Sequence, residues 1–242
     1  MIDLYYWPTP NGKKVSILLE EACLPYQLVP LNIAGGEQFT KSFLAINPNH
    51  RVPAIVDRDP AGGGAPLSVF ESGAILMYLA EKSGKFWPQA APEKYEVVQW
   101  VMWQMANMGP KFGECGHFLQ AAQKPQNGDL SYSLRRFDNE VNRLYGVMNY
   151  RLFDRRYLTG DQYSIADMAC YPWAVNWAFF RQDLEEFKHL KRWLEDVGSR
   201  GSVQRGMDVG KELASANNEV PAEEAERRAK ILYNQRALSP PG

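Results

Sequence analysis

Asn49-His50-Arg51-Val52-Pro53-Ala54-Ile55-Val56-Asp57, with Phe70-Glu71-Ser72-Gly73-Ala74-Ile75 downstream, is the stretch that sets the fold. A residue before proline is pushed into extended geometry, so Ala54–Asp57 reads as a strand with Val52-Pro53 at its entrance. A second short run, Leu67–Phe70, follows the loop Pro60-Ala61-Gly62-Gly63-Gly64-Ala65-Pro66 and closes a hairpin. The triple glycine lacks the Lys-Ser/Thr pair and the opening helix of a phosphate-binding loop, so a turn explains it. From Ser72 the apolar period lengthens to that of a helix, with Ile75, Leu76, Leu79 and Ala80 inward and Gly84 at its end.

Upstream, residues 2–7 read as a buried strand bounded by Pro8-Thr9-Pro10-Asn11-Gly12. A helix is expected from Lys13, with Val15, Leu18, Leu19 and Ala22 on its core face, Cys23 a core residue, and Pro25 ending it. Tyr26–Ile33 forms a second strand, Gly35-Gly36 breaks it, and Phe39–Ile46 is a short helix or turn. The order is β-α-β-α-β-β-α within residues 1–87. Downstream the pattern is helical: Val97–Met108, ending near Gly109-Pro110, then Leu130–Phe153, Ser164–Phe180 and Leu184–Val197. The expected organisation is α+β, with units at 1–87 and 92–205 and a charged tail at 206–242 that holds one marginal helix within Glu219–Arg236 and frays at Ser239–Gly242.

With 27 basic against 28 acidic residues, the balance gives no reason to expect nucleic acid or an anionic membrane as partner. The N-terminus lacks a basic region followed by an apolar core, and no run reaches the ~18 apolar residues of a membrane span. Cys23, Cys115 and Cys170 are odd in number and widely spaced, which fits a reducing, cytoplasmic setting and neither a disulfide framework nor a metal site. Cys115-Gly116-His117 is too tight for zinc ligation, and His189 reads as a structural histidine. Trp100, Trp103, Met105, Trp173 and Trp177 are core residues first, some of them candidates for the wall of a second-substrate pocket.

Two features carry chemistry. A proline at the strand entrance leaves the Val52 N–H and C=O outside the ladder, free to pair with an extended peptide ligand. Glu71-Ser72 stands at a helix start, where Ser is a preferred N-cap and where free N–H groups favour an anion. A ligand carboxylate at Ser72 and a ligand ammonium at Glu71 together suit a γ-glutamyl end, which carries both charges on one carbon.

These segments resemble the glutathione transferase family. The resemblance runs through Tyr5-Tyr6, Pro8-Thr9-Pro10-Asn11-Gly12, Asn49–Ala54 and Phe70–Ile75, and through Tyr157-Leu158-Thr159-Gly160-Asp161-Gln162-Tyr163-Ser164-Ile165-Ala166-Asp167. It implies a thioredoxin-like N-terminal domain followed by an all-helical domain. In the last segment Ser164 and Asp167 form a capping box, a folding role. Thr-Pro-Asn-Gly and Phe-Glu-Ser-Gly-Ala-Ile-Leu are most similar to the bacterial nu class, known as glutathione-dependent disulfide-bond oxidoreductases.

The resemblance implies that Thr9 and Asn11 stand where other classes carry a catalytic Tyr or Ser, while Tyr5 and Tyr6 belong to packing. It places glutathione at Asn11, Gln38, the Val52 backbone with Pro53, Glu71 and Ser72, with Arg51 toward the glycyl end. It also implies a homodimer in which Arg136, or Arg135 beside it, reaches the partner's site. With no Cys-x-x-Cys, glutathione must bring the sulfur, and Thr9 and Asn11 would stabilise its thiolate. Such a thiolate reduces disulfides, reduces peroxides or attacks electrophiles as a conventional transferase does; a non-catalytic glutathione-binding module is the remaining alternative. No metal is expected.

Overall fold

The computed structural model describes residues 1–215, 221–233 and 235. Its sheet centres on β1 (Ile2–Tyr6), whose side chains Ile2, Leu4 and Tyr6 are buried. β1 runs parallel to β2 (Tyr26–Pro30) and antiparallel to β3 (Ala54–Asp57); β4 (Leu67–Phe70) pairs with β3 at the edge, giving the order β2-β1-β3-β4. The parallel pair is joined through α1 (Pro10–Ala22), as a parallel connection requires. A short helix, α2 (Lys41–Leu44), precedes β3, and α3 (Ser72–Ser83) follows β4 and ends on Gly84 at φ 66°. This is the thioredoxin-like arrangement.

The helical half comprises α4 (Ala91–Trp103), a π turn at Gln104–Met108, α5 (Gly109–Ala121), α6 (Ser131–Arg151), α7 (Ile165–Ala174), α8 (Lys188–Gly198), α9 (Gly201–Asp208), α10 (Lys211–Ser215) and α11 (Ala222–Tyr233). α1 is packed by α3 on its own side and by α7 and α9 from the helical half. The α1–α9 crossing is so close that a Cβ on Gly206 would stand 2.5 Å from the Ile17 Cα, so only glycine fits. Ser16 donates its hydroxyl proton to the Gly206 carbonyl at 2.7 Å and fixes the crossing.

α7 is held by the capping box. Asp167, fully buried, accepts from the Ser164 N–H at 3.1 Å, the Leu158 N–H at 3.0 Å and the Trp193 Nε1–H at 2.8 Å. One carboxylate thus ties the loop before α7, the helix start and α8 into one unit.

The structure departs from several expectations. α1 begins at Pro10, because Thr9 accepts the Gly12 N–H at 3.2 Å as N-cap and Pro10 is pre-set for the first turn. Cys23 is exposed at the left-handed end of α1 (φ 56°), not in the core. Gly109-Pro110 does not end the helix: Pro110 opens α5 directly after the π turn, where the wider coil removes the clash with a preceding carbonyl. The expected helix Ser164–Phe180 stops at Ala174, and turns follow. α9 had no counterpart among the expected helices. In the tail, 221–233 is described and holds α11, whereas Ser239–Gly242 lies outside the described residues.

Candidate functional site

Five segments converge on one cleft of about 560 Å³: the start of α1, the loop leading to β3, the start of α3, the π turn with α5, and Trp173 of α7. The loop is built by Asn47. This buried amide donates to the Arg51 carbonyl at 2.6 Å and accepts the Asn49 N–H at 2.8 Å, holding 47–51 in a tight bend. The bend delivers Val52 to the cleft wall through a cis Val52-Pro53 peptide, and the β1–β3 ladder starts only at Ala54. Among the described residues nothing pairs with the Val52 backbone groups.

Across from Val52 lies the start of α3. Ser72 is not the N-cap expected from its residue type; it is the first helical residue, and Glu71 holds the cap position at φ 68° without a side-chain cap bond. The left-handed φ is uncommon for a residue with a Cβ, and such outliers concentrate at binding sites. Glu71 is exposed in the cleft and accepts from Asn49 Nδ2 at 3.4 Å, while Ser72 is 3% exposed. No side-chain cap therefore satisfies the N–H groups at the α3 start, which face an end of the helix suited to an anion.

At the third wall, Asn11 accepts the Trp173 Nε1–H at 3.0 Å on Oδ1, which fixes the amide. Its NH2 is left to act as donor in the cleft. Thr9 lies just beyond, on a neighbouring cavity of about 450 Å³ that shares Trp173 and Gly113 with the first and is also lined by Phe179 and by Tyr233 of α11. Its hydroxyl oxygen caps Gly12, and among the described residues the hydroxyl donates to nothing. The two residues thus flank the boundary between a polar cleft and an aromatic one.

The structure brings Asn11, Arg51, Val52, Pro53, Glu71 and Ser72 together. It does not bring Gln38 there: that side chain is 2% exposed, with Nε2 donating to the Ile33 carbonyl at 3.0 Å. Arg136 is exposed on α6, 4.0 Å from Glu140, and is not among the residues that line the cleft. Tyr6 is structural, donating its hydroxyl proton to the Val209 carbonyl at 2.9 Å, with burial raising its pKa. Cys115 is buried in α5, where burial pushes its thiol up to about 11, and Cys170 is buried within α7 and pushed up likewise. Neither is a reactive thiolate.

Two residues at the floor were not anticipated. Lys14, 1% exposed, donates to Ser72 Oγ at 3.2 Å and to Gln104 Oε1, and Gln104 is itself fully buried. The signal for Lys14 was present in the sequence, since it stands four residues before Leu18 on the apolar face of α1, where a lysine has no reason to be. Gln104 had no such signal, because the π turn that aims it is not periodic. Among the described residues no cluster of three or more His, Cys, Asp or Glu could hold a metal ion, and no helix is long and apolar enough to cross a membrane.

Residues 1–81 match the N-terminal domain of glutathione S-transferases, and residues 123–200 match the C-terminal domain. The chain is 48% identical over 207 residues to the disulfide-bond oxidoreductase YfcG of Escherichia coli, covering 86% of this chain and 94% of that one. Among solved structures, a glutathione transferase family member from Pseudomonas fluorescens with two glutathione bound superposes with a TM-score of 0.79 at 40% identity, covering 85% of this chain and 92% of that one. One from Pseudomonas putida, with one glutathione disulfide bound per subunit, gives 0.80 at 38% identity, covering 86% and 91%. On domain matches, identity and fold alike, the chain belongs to the glutathione S-transferase family.

Proposed function

We propose that this protein is a glutathione-dependent disulfide-bond oxidoreductase. The observation that carries the reading is that Glu71-Ser72, the unpaired Val52 backbone and the anchored Asn11 amide line one cleft, supplying partners for the charges, backbone and thiol of glutathione. The γ-glutamyl carboxylate sits at the α3 start on Ser72, with its ammonium at Glu71. The cysteinyl backbone pairs with Val52 as an added strand. The thiol then lies toward Asn11 and Thr9, where the Asn11 NH2, the Thr9 O–H and the N–H groups at the start of α1 favour the thiolate. Arg51 stands at the glycyl end.

The thiolate attacks a disulfide sulfur; a new S–S bond forms as the substrate's S–S bond breaks, and one substrate thiolate leaves and takes a proton. A second glutathione thiolate attacks the mixed disulfide and expels the other substrate thiol. The substrate gains two electrons and two protons, and two glutathione molecules become one glutathione disulfide. The aromatic cavity beside Thr9 supports a second substrate of apolar character, and this feature also suits conjugation to an electrophile. Reduction of a small aromatic disulfide by glutathione, set beside conjugation of a chlorinated aromatic, separates the two. No disulfide reduction, with Asn11→Ala and Thr9→Ala indistinguishable from the parent, would refute the reading.

The protein is further proposed to act as a homodimer, with Arg136 reaching the partner's cleft and units divided at 1–87 and 92–205. The exposed Leu67 and Phe70 on the edge strand β4 support a subunit contact, and light scattering tests it. Three free cysteines accord with a reducing, cytoplasmic setting.

A further inference from the structure

Lys14 presents an unusual combination. Its amino group is buried beneath the start of α3, and each of its hydrogen-bond partners is neutral: Ser72 Oγ at 3.2 Å, Gln104 Oε1, and the thioether of Met105 at 3.5 Å. No carboxylate among the described residues lies within ion-pair distance of it. Buried ammonium groups are held by counter-charges, and the Glu71 carboxylate acts on this amine from an exposed position rather than by a salt bridge. A second, independent observation points the same way. Gln104 Nε2, fully buried in the π turn on the same cleft, has no acceptor among the described residues. A third concerns Ser72, whose hydroxyl donates at 3.4 Å to the Met105 sulfur, a weak acceptor that a carboxylate readily displaces.

We propose that Lys14 is the positioning residue for the ligand's γ-glutamyl carboxylate: it donates to the Ser72 oxygen and so holds the Ser72 hydroxyl proton toward a carboxylate at the start of α3. This rests on the glutathione reading and adds to it the buried charge that answers the ligand's own. Lys14 donates to the Ser72 oxygen, which leaves the Ser72 proton for the carboxylate. Recognition therefore selects a carboxylate at this point, and an amide or ester there leaves the buried amine unanswered.

The groups that face Lys14 fit this role. From α7 the Cys170 thiol is held neutral by burial, and Glu71, ahead of α3, acts on Lys14 from an exposed position. Gln104 and Met105 of the π turn carry no charge, and Lys13, next on α1, is acted on chiefly by its own burial and by Asp208 and Lys211. Burial lowers the Lys14 pKa to about 7. A carboxylate held through Ser72 favours the charged amine and raises that pKa. Binding is accordingly linked to proton uptake above pH ~7 and independent of it below, where the amine is already charged in both states.

The test is calorimetric titration with S-methylglutathione, whose thiol cannot ionise, at pH 6, 7 and 8 in two buffers of different ionisation enthalpy. Uptake approaching one proton at pH 8, with affinity falling about tenfold from pH 6 to pH 8, is expected. Lys14→Met should bind more weakly and lose both the pH slope and the buffer dependence. Lysine-selective 13C labelling of the parent protein gives the same answer without a variant, as one lysine signal that titrates near neutrality and moves up with ligand. Binding with no proton uptake and no such signal overturns the role of Lys14 alone. No binding of S-methylglutathione at any pH overturns the glutathione reading, and this role with it.

Discussion

Replacing Asn11 separates two roles that its amide could serve. Its Oδ1 is occupied by the Trp173 indole N–H at 3.0 Å, so only the NH2 is free to face a thiolate. Asn11→Ala removes that donor. A hydrogen bond to a charged group contributes about 1.5–3 kcal/mol, so the rate of disulfide reduction should fall about 10- to 150-fold near neutral pH. Asn11→Asp is the sharper test, because it is isosteric and keeps the acceptor for Trp173. It also sets a negative charge roughly 4 Å from the sulfur, costing the thiolate about 1 kcal/mol in bulk water and about 4 at the effective dielectric of a protein surface. That raises the thiol pKa by about 1–3 units, so Asp should be worse than Ala at neutral pH and recover part of its rate as pH rises. Trp173→Phe, which unanchors the amide while keeping an aromatic wall, should lie between the parent and Asn11→Ala. The assay is the pH–rate profile of disulfide reduction with saturating glutathione. An Asn11→Asp variant as active as the parent at pH 7 would refute the donor role.

Glu71→Gln removes the charge offered to the ligand ammonium from an exposed position, and should weaken glutathione binding by about 1–2 kcal/mol, or 5- to 30-fold, by calorimetry. An unchanged affinity would remove Glu71 from the site. Asp167→Ala strands the buried N–H groups of Leu158, Ser164 and Trp193 and should cost about 3–6 kcal/mol in urea denaturation. Asp167→Asn keeps one acceptor and should cost about half as much; a loss under about 1 kcal/mol for the alanine variant would contradict the structural role. Tyr233, whose ring lies 4.8 Å from His117, lines the aromatic cavity. Tyr233→Ala should raise KM for an aromatic disulfide about 2- to 10-fold while leaving that for glutathione unchanged.

What the sequence disclosed and what it withheld divide along a physical line. β3, β4 and the start of α3 were legible because proline, glycine and short apolar runs punctuate them locally, and the Ser164–Asp167 box was legible because its chemistry spans only one helical turn. Thr9 and Asn11 stood out only through the family resemblance, since as isolated residues they describe a turn. The cap position of Glu71 was misread because serine's residue preference does not decide the cap when the preceding residue takes up a positive φ, here 68°. The helix through Gly109-Pro110 was misread because a π turn leaves no periodic trace. Cys23 was assigned to the core by period alone, one residue past the point where α1 ends. Gln38 and the floor of the cleft show the remaining gap: burial depends on how distant segments meet, and only the folded chain sets Lys14 under Ser72.

The central claim is that the cleft between Val52, Ser72 and Asn11 is a glutathione site that presents sulfur to Asn11 and Thr9. A crystal structure of the protein with glutathione disulfide tests it most directly. The account predicts the γ-glutamyl carboxylate on Ser72 and the α3 N–H groups, the cysteinyl N–H and C=O paired with Val52, and a sulfur within hydrogen-bond distance of the Asn11 amide. Glutathione disulfide bound elsewhere, or in this cleft with its sulfurs turned away from Asn11 and Thr9, would contradict it.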